Sequence, residues 1–346
     1  MPGKPSVYDV HTNAPLSSIA SKWIVDDSVY VANRIFPMVS VTKLSDLIAR
    51  YDRRDFFRLL DVRPRAPGTE SQGTGFGVGT CSYLCREYAV HRDIPDEVRD
   101  NADEPFRPDL DSTQQVTQLL KIKRDELFAA SAFVGTAWAT NYTGGVAASN
   151  PLAFTTQYWS DYATPSTPIE DIDRAKEYMH LLTGFQPNKL VINKCTYHVL
   201  RAHPTIRNRV IQFNQNKPVL NAQDLAVVFD LKEVVVAEAV GNFGPEQGQW
   251  ISRPIFGDDA LLCYVTDSPS TTNPSAGYTF SYTGGGQQGY NIKIARSRSP
   301  LDSYFDRITG NFCTDPHVVE DSLGVFFNQV VAPGTCLAEV VADVTI

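Results

Sequence analysis

The alternation of apolar and polar positions divides the first third of the chain into two unusual segments. Residues 1–38 contain four prolines and no long helical repeat, which predicts an extended arm with a short amphipathic stretch through Ile19, Trp23 and Ile24. Residues 39–95 place strand-like runs, MVSVTKL and CSYLCREYAVHRDI, around a middle rich in glycine, proline and threonine. This pattern predicts a long two-stranded excursion. An isolated hairpin is marginal in water, so we expect both segments to lie on a neighbouring subunit.

The clearest helix is predicted over residues 109–139. Asp109 or Asp111 is the predicted N-cap. At 1.5 Å per residue the helix would be about 40–45 Å long, the length of a strut. Its apolar stripe consists of Val116, Leu119, Leu120, Leu127, Phe128 and Phe133.

The second half of the chain mixes helices and strands. Pro168 opens a predicted helix that stops at Gly184, and further helices are predicted from 195 to about 211 and near 221–228. The apolar runs KLVINK, KEVVVAEAV and ALLCYV predict strands, the run YTFSYTGGGQQGYNIKIAR predicts a hairpin, and the last part of the chain returns as strands. Helix–strand alternation followed by antiparallel strands predicts an α+β fold.

Composition excludes several classes of protein. The 346 residues are 42% hydrophobic and carry a net charge of −8, which is typical of a folded protein without the basic stripe of a sequence-specific DNA binder. The sequence has no window long enough for a membrane span and no apolar signal-peptide core, so we expect synthesis in the cytoplasm and no membrane association.

The charges of the excursion predict an interface. No lysine occurs between Lys43 and Lys121, whereas ten arginines do. Arginine is enriched at interfaces, where lysine is depleted, although a solvated charged surface is the alternative interpretation. The residues predicted to contact another subunit are Arg50, Arg53, Arg54, Arg58, Arg63, Arg65, Glu70, Tyr83, Arg86 and Glu87.

Five short motifs, taken in order, resemble a subfamily of tailed-phage major capsid proteins with the Hong Kong 97-type fold. They are HTNAPLS at 11–17, FP-V-V at 36–41, RAPGTES at 65–71, Y-x-C-x-E-Y-A-x-H at 83–91 and IPDE at 94–97. The resemblance implies an N-terminal arm (1–38), an E-loop (39–95), a peripheral domain with a spine helix (96–164), an axial domain (165–299), and return strands of the peripheral domain with the C-terminus (300–346).

The same resemblance implies a function in assembly. Such subunits form the hexamers and pentamers of an icosahedral virion shell around double-stranded DNA, and scaffolding, portal and decoration proteins are possible partners. The E-loop lies over the adjacent subunit. The capsid that names the fold is crosslinked through an E-loop lysine, but this E-loop has no lysine beyond Lys43, so we expect no such crosslink.

Candidate chemical sites are weak, and we expect no catalytic residue, cofactor or metal. Cys81 and Cys85, considered with His91, would lie about 13 Å apart on a strand, too far to share zinc. The alternating glycines at 73–79 lack the Gly-Lys-Ser/Thr ending of a phosphate loop. Asp258 and Asp259 indicate a turn, with calcium a remote alternative. The six cysteines predict reduced thiols, and surface positions are expected for His180, His198 and His203.

Two other functions stay open at this point. An encapsulin-like compartment has the same fold but encloses protein cargo, so the contents of the shell would distinguish it. A metabolic α+β enzyme would need a convergent polar pocket, and images of the purified protein would separate small enzymes from capsomers and shells.

Overall fold

The computed structural model describes residues 24–102, 106–145, 157–162, 166–213, 220–245, 248–269, 273–284, 292–298, 304–337 and 339–342, so most of the predicted arm, including Ile19 and Trp23, lies outside the described residues. The helices are α1 (Ala32–Ile35), α2 (Arg53–Phe56), α3 (Asp96–Asp100), α4 (Pro108–Ala132), α5 (Pro168–Thr183), α6 (Lys194–Ala202), α7 (Pro204–Phe213) and α8 (Ala222–Val228). The strands are β1 (Met38–Val41), β2 (Ser45–Tyr51), β3 (Val78–Leu84), β4 (Arg86–Pro95), β5 (Thr140–Thr143), β6 (Lys189–Asn193), β7 (Glu233–Ala237), β8 (Val240–Asn242), β9 (Trp250–Pro254), β10 (Ala260–Cys263), β11 (Gly277–Tyr282), β12 (Lys293–Arg298), β13 (Phe305–Val318), β14 (Gly324–Asn328) and β15 (Val340–Ala342).

A central sheet in the order β5–β14–β10–β6–β7 is buried on both faces. Successive side chains of a strand point to opposite faces, so Leu190 and Ile192 enter one apolar cluster while Val191 enters the other. Strands covered on both sides have continuous apolar sequences. The predicted strands in KLVINK, KEVVVAEAV and ALLCYV are confirmed as β6, β7 and β10.

The two faces of this sheet are covered by different helices. Ile172 and Met179 of α5 lie in the cluster on one face. Phe128 of α4 lies in the cluster on the other face, where its ring meets that of Phe36 edge-on with the centroids 5.0 Å apart. Burying a side chain of this size is worth about 1.5–3 kcal/mol relative to leaving it exposed, so the sheet and its helices carry the core.

The spine helix α4 is shorter than predicted at its C-terminus. Its 25 residues span about 38 Å at 1.5 Å per residue. It begins at Pro108 rather than after Asp109 or Asp111, because proline needs no hydrogen bond for its nitrogen at a helix start. It ends at Ala132, whose carbonyl accepts the Trp138 indole N–H at 2.7 Å, instead of continuing to 139.

Glycine, proline and capping residues determine where the helices in the second half of the chain begin and end. The predicted stop of α5 at Gly184 is confirmed, because this glycine adopts a left-handed φ of 77°. The single helix predicted from 195 to about 211 is wrong: it divides into α6 and α7, since Pro204 cannot donate to the preceding turn. The short helix α8 begins with a capping box between Asn221 and Asp224. This confirms the helix predicted near 221–228.

A second sheet packs against the spine helix and is organised around the long strand β13. β4 pairs with β13 along its whole length from Arg86 to Pro95, while β12 and β11 pair with successive stretches of β13. The predicted hairpin of β11 with β12 is therefore wrong, because both strands find their partner in β13. Gly310 of β13 permits the close approach of α4, since a Cβ there would lie 2.5 Å from Val116.

The excursion is a hairpin of β2 and β3 that spans residues 45–84. It lies inside the predicted 39–95 segment, but its strands differ from the prediction. MVSVTKL contributes β1, which pairs in parallel with β11, and the run predicted at 81–94 divides at Cys85 into β3 of the hairpin and β4 of the second sheet.

A small third sheet joins β15, β9 and β8 near the C-terminus. Among the described residues, no helix has the length and apolar composition needed to cross a membrane.

Candidate inter-subunit surface

The far end of the excursion hairpin carries an apolar cluster that its own chain leaves exposed. The rings of Tyr51, Phe56 and Phe76 contact one another with centroids 5.7–6.1 Å apart, yet each ring keeps about half or more of its surface. Leu59 and Leu60 follow at 81% and 79% exposure. Contiguous exposed apolar surface of this kind is typical of interaction sites.

Ion pairs within the hairpin hold this end in shape. Asp52 accepts a hydrogen bond from the backbone N–H of Arg54 at 2.9 Å and thereby caps α2. The side chain of Arg54 also binds this carboxylate, and together they lower the pKa of Asp52 to about 2. Arg58 pairs with Asp55 and lies 3.5 Å from Asp61. The apolar side chains therefore stand on a charged, hydrogen-bonded framework.

The hairpin is fastened to a turn before β14 near its far end, at the last pairs of the β2–β3 ladder. Arg50 donates two hydrogen bonds of 2.8 Å to Glu320 and one of 2.9 Å to Asp321. This pairing with Glu320 raises the pKa of Arg50. A buried nitrogen of Arg53 lies 3.9 Å from Glu320 without a hydrogen-bond partner among the described residues. The ring of Phe57 lies against Gly184, where an added Cβ would come within 3.0 Å of it.

The other residues predicted from the sequence lie in three places. Arg63 donates to the carbonyl of Leu60 at 3.2 Å, and Arg65 and Glu70 are exposed in the loop. Tyr83 is buried in its own chain, stacked on Phe280 with the ring centroids 4.6 Å apart. Arg86 and Glu87 are exposed at the start of β4. The hairpin thus brings residues 50–70 together and leaves 83–87 at its base, and their part in inter-subunit contacts stays a prediction.

Several arginines of the lysine-free stretch have partners within the chain. Arg99 lies 3.2 Å from Asp96, 3.0 Å from Asp109 and 2.9 Å from Asp306. Contacts with Arg296 and Arg298 lower the pKa of Asp306 to about 2. Planar guanidinium groups suit such shared carboxylates, so part of the arginine bias is explained by ties between α3, α4 and the second sheet.

The apolar residues of the hairpin were missed by the sequence prediction, although a signal for them exists. The run DFFRLL places four large apolar residues within five positions of a segment that is otherwise charged and rich in glycine and proline. The sequence gives no sign of which carboxylates pair with Arg50, because Glu320 and Asp321 lie 270 and 271 residues away along the chain.

The cysteines and histidines that the sequence offered as weak metal candidates lie apart in the part of the chain that the structure describes. Cys81 contacts His317 at 3.1 Å and does not face Cys85 across a shared metal position. Cys85 is buried, whereas His91 is exposed. Burial raises the pKa of Cys85 to about 12. His203 is buried between Ser166 and Thr205, so the surface position expected for it is wrong.

One cysteine pair differs from the expectation of reduced thiols throughout. Cys195 and Cys336 form a disulfide, with Cα atoms 6.0 Å apart. Asp258 lies beside them, and these three are the one group within the described ranges whose donor atoms could converge on a metal ion. Asp258 and Asp259 form the predicted turn before β10, with Asp258 accepting from Asn193 at 2.7 Å and Asp259 accepting from the N–H of Gln329 at 2.6 Å.

Comparison with known proteins yields a curated relative. No protein-family model matches the chain. The major capsid protein of Burkholderia phage BcepMu is 22% identical over 260 residues, which cover 74% of this chain and 79% of that protein. This relative confirms the resemblance to tailed-phage major capsid proteins.

Solved structures match over about nine-tenths of the chain. A phage-related protein from Bordetella bronchiseptica RB50 has 18% identity and a TM-score of 0.64, covering 90% of this chain and 95% of its own. The capsid of cyanophage P-SCSP1u has 11% identity and a TM-score of 0.52, with 92% of each chain covered. An encapsulin complex from Synechococcus elongatus PCC 7942 has 10% identity and a TM-score of 0.53, with 92% and 94% covered. The predicted α+β fold of Hong Kong 97-type capsid proteins is confirmed.

Proposed function

We propose that this chain is the major capsid protein of a tailed phage, a structural subunit rather than an enzyme. Its subunits form the hexamers and pentamers of an icosahedral shell around double-stranded phage DNA. The protein is made in the cytoplasm of a bacterial host and ends in the virion. The curated phage relative and the match to a phage capsid over 92% of the chain support this function.

The observation that carries the proposal is the exposed apolar end of the excursion hairpin. Leu59 and Leu60 are about four-fifths exposed in the single chain, and Phe56 and Phe57 are each 64% exposed. Moving apolar surface out of water stabilises an assembly by about 25 cal/mol per Å². A neighbouring subunit that covers this end would bury several large side chains at once, and every subunit of a shell would repeat the contact.

The charge of the chain supports a container that does not grip its contents. With a net charge of −8, the subunit provides no excess of cations to neutralise phosphates across the inner surface. Under this proposal the DNA is enclosed without sequence-specific binding. Scaffolding, portal and decoration proteins would be further partners.

The proposal is tested by the assembly state of the purified chain. Native mass spectrometry and negative-stain images should show species of five or six 38.3 kDa subunits, or closed shells. A monodisperse monomer across the micromolar range would contradict a shell subunit.

A protein compartment is the second candidate, because the encapsulin complex matches with a TM-score of 0.53. The contents of particles recovered from their natural source separate the two. Nuclease-resistant double-stranded DNA supports the phage capsid, whereas a stoichiometric protein cargo without DNA supports the compartment.

A further inference from the structure

The disulfide between Cys195 and Cys336 fastens the segment that follows β14. Cys195 lies in the first turn of α6, and Cys336 lies eight residues after the end of β14. The bond joins positions 141 residues apart. In a chain-entropy description, a crosslink restricts the unfolded chain more strongly as the enclosed loop lengthens. The loop closed by this bond is therefore long enough for the bond to stabilise the folded chain.

The start of this segment is held by hydrogen bonds and by the burial of Val330 and Val331 in the core. The backbone N–H of Val330 donates to the carbonyl of Asp258 at 3.1 Å, and its carbonyl accepts from Trp159 at 2.7 Å. Ala332 donates to the hydroxyl of Ser160 at 2.9 Å. Further along, Cys336 packs partly against the core, whereas Leu337 is 82% exposed, so apolar burial ends beside Cys336. The disulfide therefore provides a discrete attachment where the segment leaves the core.

Three of the four other described cysteines differ from this pair in accessibility, whereas Cys81 is partly buried and contacts His317. Cys85, Cys263 and Cys313 are buried. Burial raises the pKa of Cys85 and of Cys263 to about 12 and also raises that of Cys313, which keeps these groups as unreactive thiols. Cys195 and Cys336 are only partly buried, so a small reagent can reach them.

A disulfide suits this pair better than a metal. Structural zinc sites are almost always four-coordinate, and within the described ranges the group contains only Cys195, Cys336 and Asp258. The Asp258 carboxylate already accepts the side-chain N–H of Asn193 at 2.7 Å. The Cα separation of 6.0 Å falls in the range that a disulfide bridges without backbone movement.

We propose that Cys195 and Cys336 form a redox-controlled clasp, open as two thiols during assembly in the host cytoplasm and closed as a disulfide after the particle is released. This inference rests on the proposed function, because it is the release of a virion that carries the pair from a reducing into an oxidising medium. The closed clasp fastens residues 329–337 to α6 after the shell has taken its final form.

The chemistry balances with a low-molecular-weight disulfide as the oxidant. One cysteine thiolate attacks a sulfur of the small disulfide, forming a mixed disulfide and expelling one small thiolate. The second cysteine thiolate attacks the protein sulfur of that mixed disulfide, forming the Cys195–Cys336 bond and expelling the other small thiolate. Two protein thiols are oxidised, one small disulfide is reduced to two thiols, and the two protons pass to those thiols.

Counting free thiols tests the clasp directly. Particles denatured without reductant in N-ethylmaleimide should take up four adducts per chain after storage in aerobic medium. The same particles, harvested by anaerobic lysis directly into N-ethylmaleimide, should take up six. Peptide mapping of the stored particles should find Cys195 linked to Cys336 of the same chain. Six adducts in both samples, a different pairing, or stoichiometric zinc in washed particles would overturn the proposal.

Thermal disruption of the particles supplies a second measurement. Dithiothreitol should lower the disruption temperature of stored wild-type particles by on the order of 5 °C, and should have no effect on the double variant Cys195→Ser/Cys336→Ser. The variant Cys81→Ser is the matched control and should keep the wild-type response. Equal responses of wild type and double variant would refute the clasp. If no particles form from the wild-type chain, the proposed function fails, whereas particles with six free thiols refute only the clasp.

Discussion

The central sheet and the excursion hairpin use apolar residues in opposite ways. Phe326 of the sheet is 1% exposed and packs against Phe133 with ring centroids 5.3 Å apart, so a single chain satisfies it. Phe56 of the hairpin is 64% exposed although it also has aromatic neighbours. The sheet is complete within one subunit, and the hairpin is folded but not covered. Stability of the subunit and stability of the assembly should therefore respond to different substitutions.

The largest effect on the subunit is expected from a cavity beside the central sheet. Phe128 is fully buried against Phe36 and Phe256. Phe128→Ala should lower the free energy of unfolding by about 3–5 kcal/mol, through lost burial and an unfilled cavity. Urea unfolding followed by circular dichroism measures this. A loss below 1 kcal/mol would show that this part of the spine helix is not a core element.

The largest effect on assembly is expected from the exposed end of the hairpin. The triple variant Phe56→Ser/Leu59→Ser/Leu60→Ser should leave the free energy of unfolding within about 0.5 kcal/mol of wild type, because these side chains are mostly exposed. Its assembly constant should fall at least tenfold, since about 1.4 kcal/mol per subunit is enough for that change.

Matched control variants are available on two helices. Leu181 and Val227 are 79% and 80% exposed but are single apolar residues on α5 and α8. When the assembly of all these variants is followed by light scattering, Leu181→Ser and Val227→Ser should assemble normally. Normal particles from the hairpin triple variant, or equal losses from the controls, would remove the distinction between the two regions.

The sequence predicted the elements of the core better than it predicted the partners of the strands. Strands and helices of the core were predicted because burial on one or two faces leaves a periodic or continuous apolar pattern, as in β6 and α5. Strand pairing was less accessible: β1 and β12 both looked like parts of hairpins, but their partners are β11 and β13. The choice between such partners depends on long-range packing, which leaves no local signal.

The candidate surface was predicted mainly through its charges, and the one aromatic residue named for it, Tyr83, is buried in its own chain. The absence of lysine drew attention to the arginines, yet Arg54 and Arg58 pair with carboxylates of the hairpin itself. Sequence composition cannot separate arginines that hold a loop in shape from those that reach a neighbour. The disulfide was missed for a related reason, because Cys195 and Cys336 are brought together only by the folded chain.

The pH dependence of stability should have opposite signs for Asp125 of α4 and Asp52 of the hairpin. Burial raises the pKa of Asp125 to about 6, although its carboxylate accepts the backbone N–H groups of Val31 and Ala32. The folded chain thus keeps a proton that the unfolded chain loses near pH 4, so stability from this group falls as pH rises from about 4 to about 6. Relative to Asp125→Asn, the free energy of unfolding of the wild type should drop by up to about 3 kcal/mol across that window.

Asp52 of the hairpin provides the opposite sign. Its pKa is lowered to about 2 by Arg54, so its contribution is present above its usual pKa and is lost as pH falls toward 2. Nuclear magnetic resonance titration of the two carboxyl groups measures both midpoints. Equal midpoints near the usual value would show that neither the burial of Asp125 nor the pairing of Asp52 persists in solution.

A smaller effect is expected from the arginines predicted at the interface. Arg53→Ala/Arg54→Ala/Arg58→Ala should leave a folded, soluble subunit that assembles poorly, because the framework under the apolar end loses its ion pairs. The defect should be smaller than that of the apolar triple variant, and wild-type assembly should weaken as salt rises. Yield of sedimenting particles measures this. Normal particles would assign these arginines to a solvated face, and a subunit that fails to fold would place them in the core.

The smallest effect is expected at Lys43, the lysine next to the excursion hairpin. Its amino group lies 2.9 Å from Asp46, in an ion pair within its own chain. We therefore predict no covalent crosslink through it: mature particles boiled in detergent with reductant should give one band near 38.3 kDa. Lys43→Arg keeps the charge but cannot form an amide through a lysine nitrogen, and its particles should be indistinguishable from wild type in the same gel. A ladder of oligomers in wild type that disappears in Lys43→Arg would show that this lysine joins subunits and that the hairpin is fixed to its neighbour by a bond rather than by apolar burial alone.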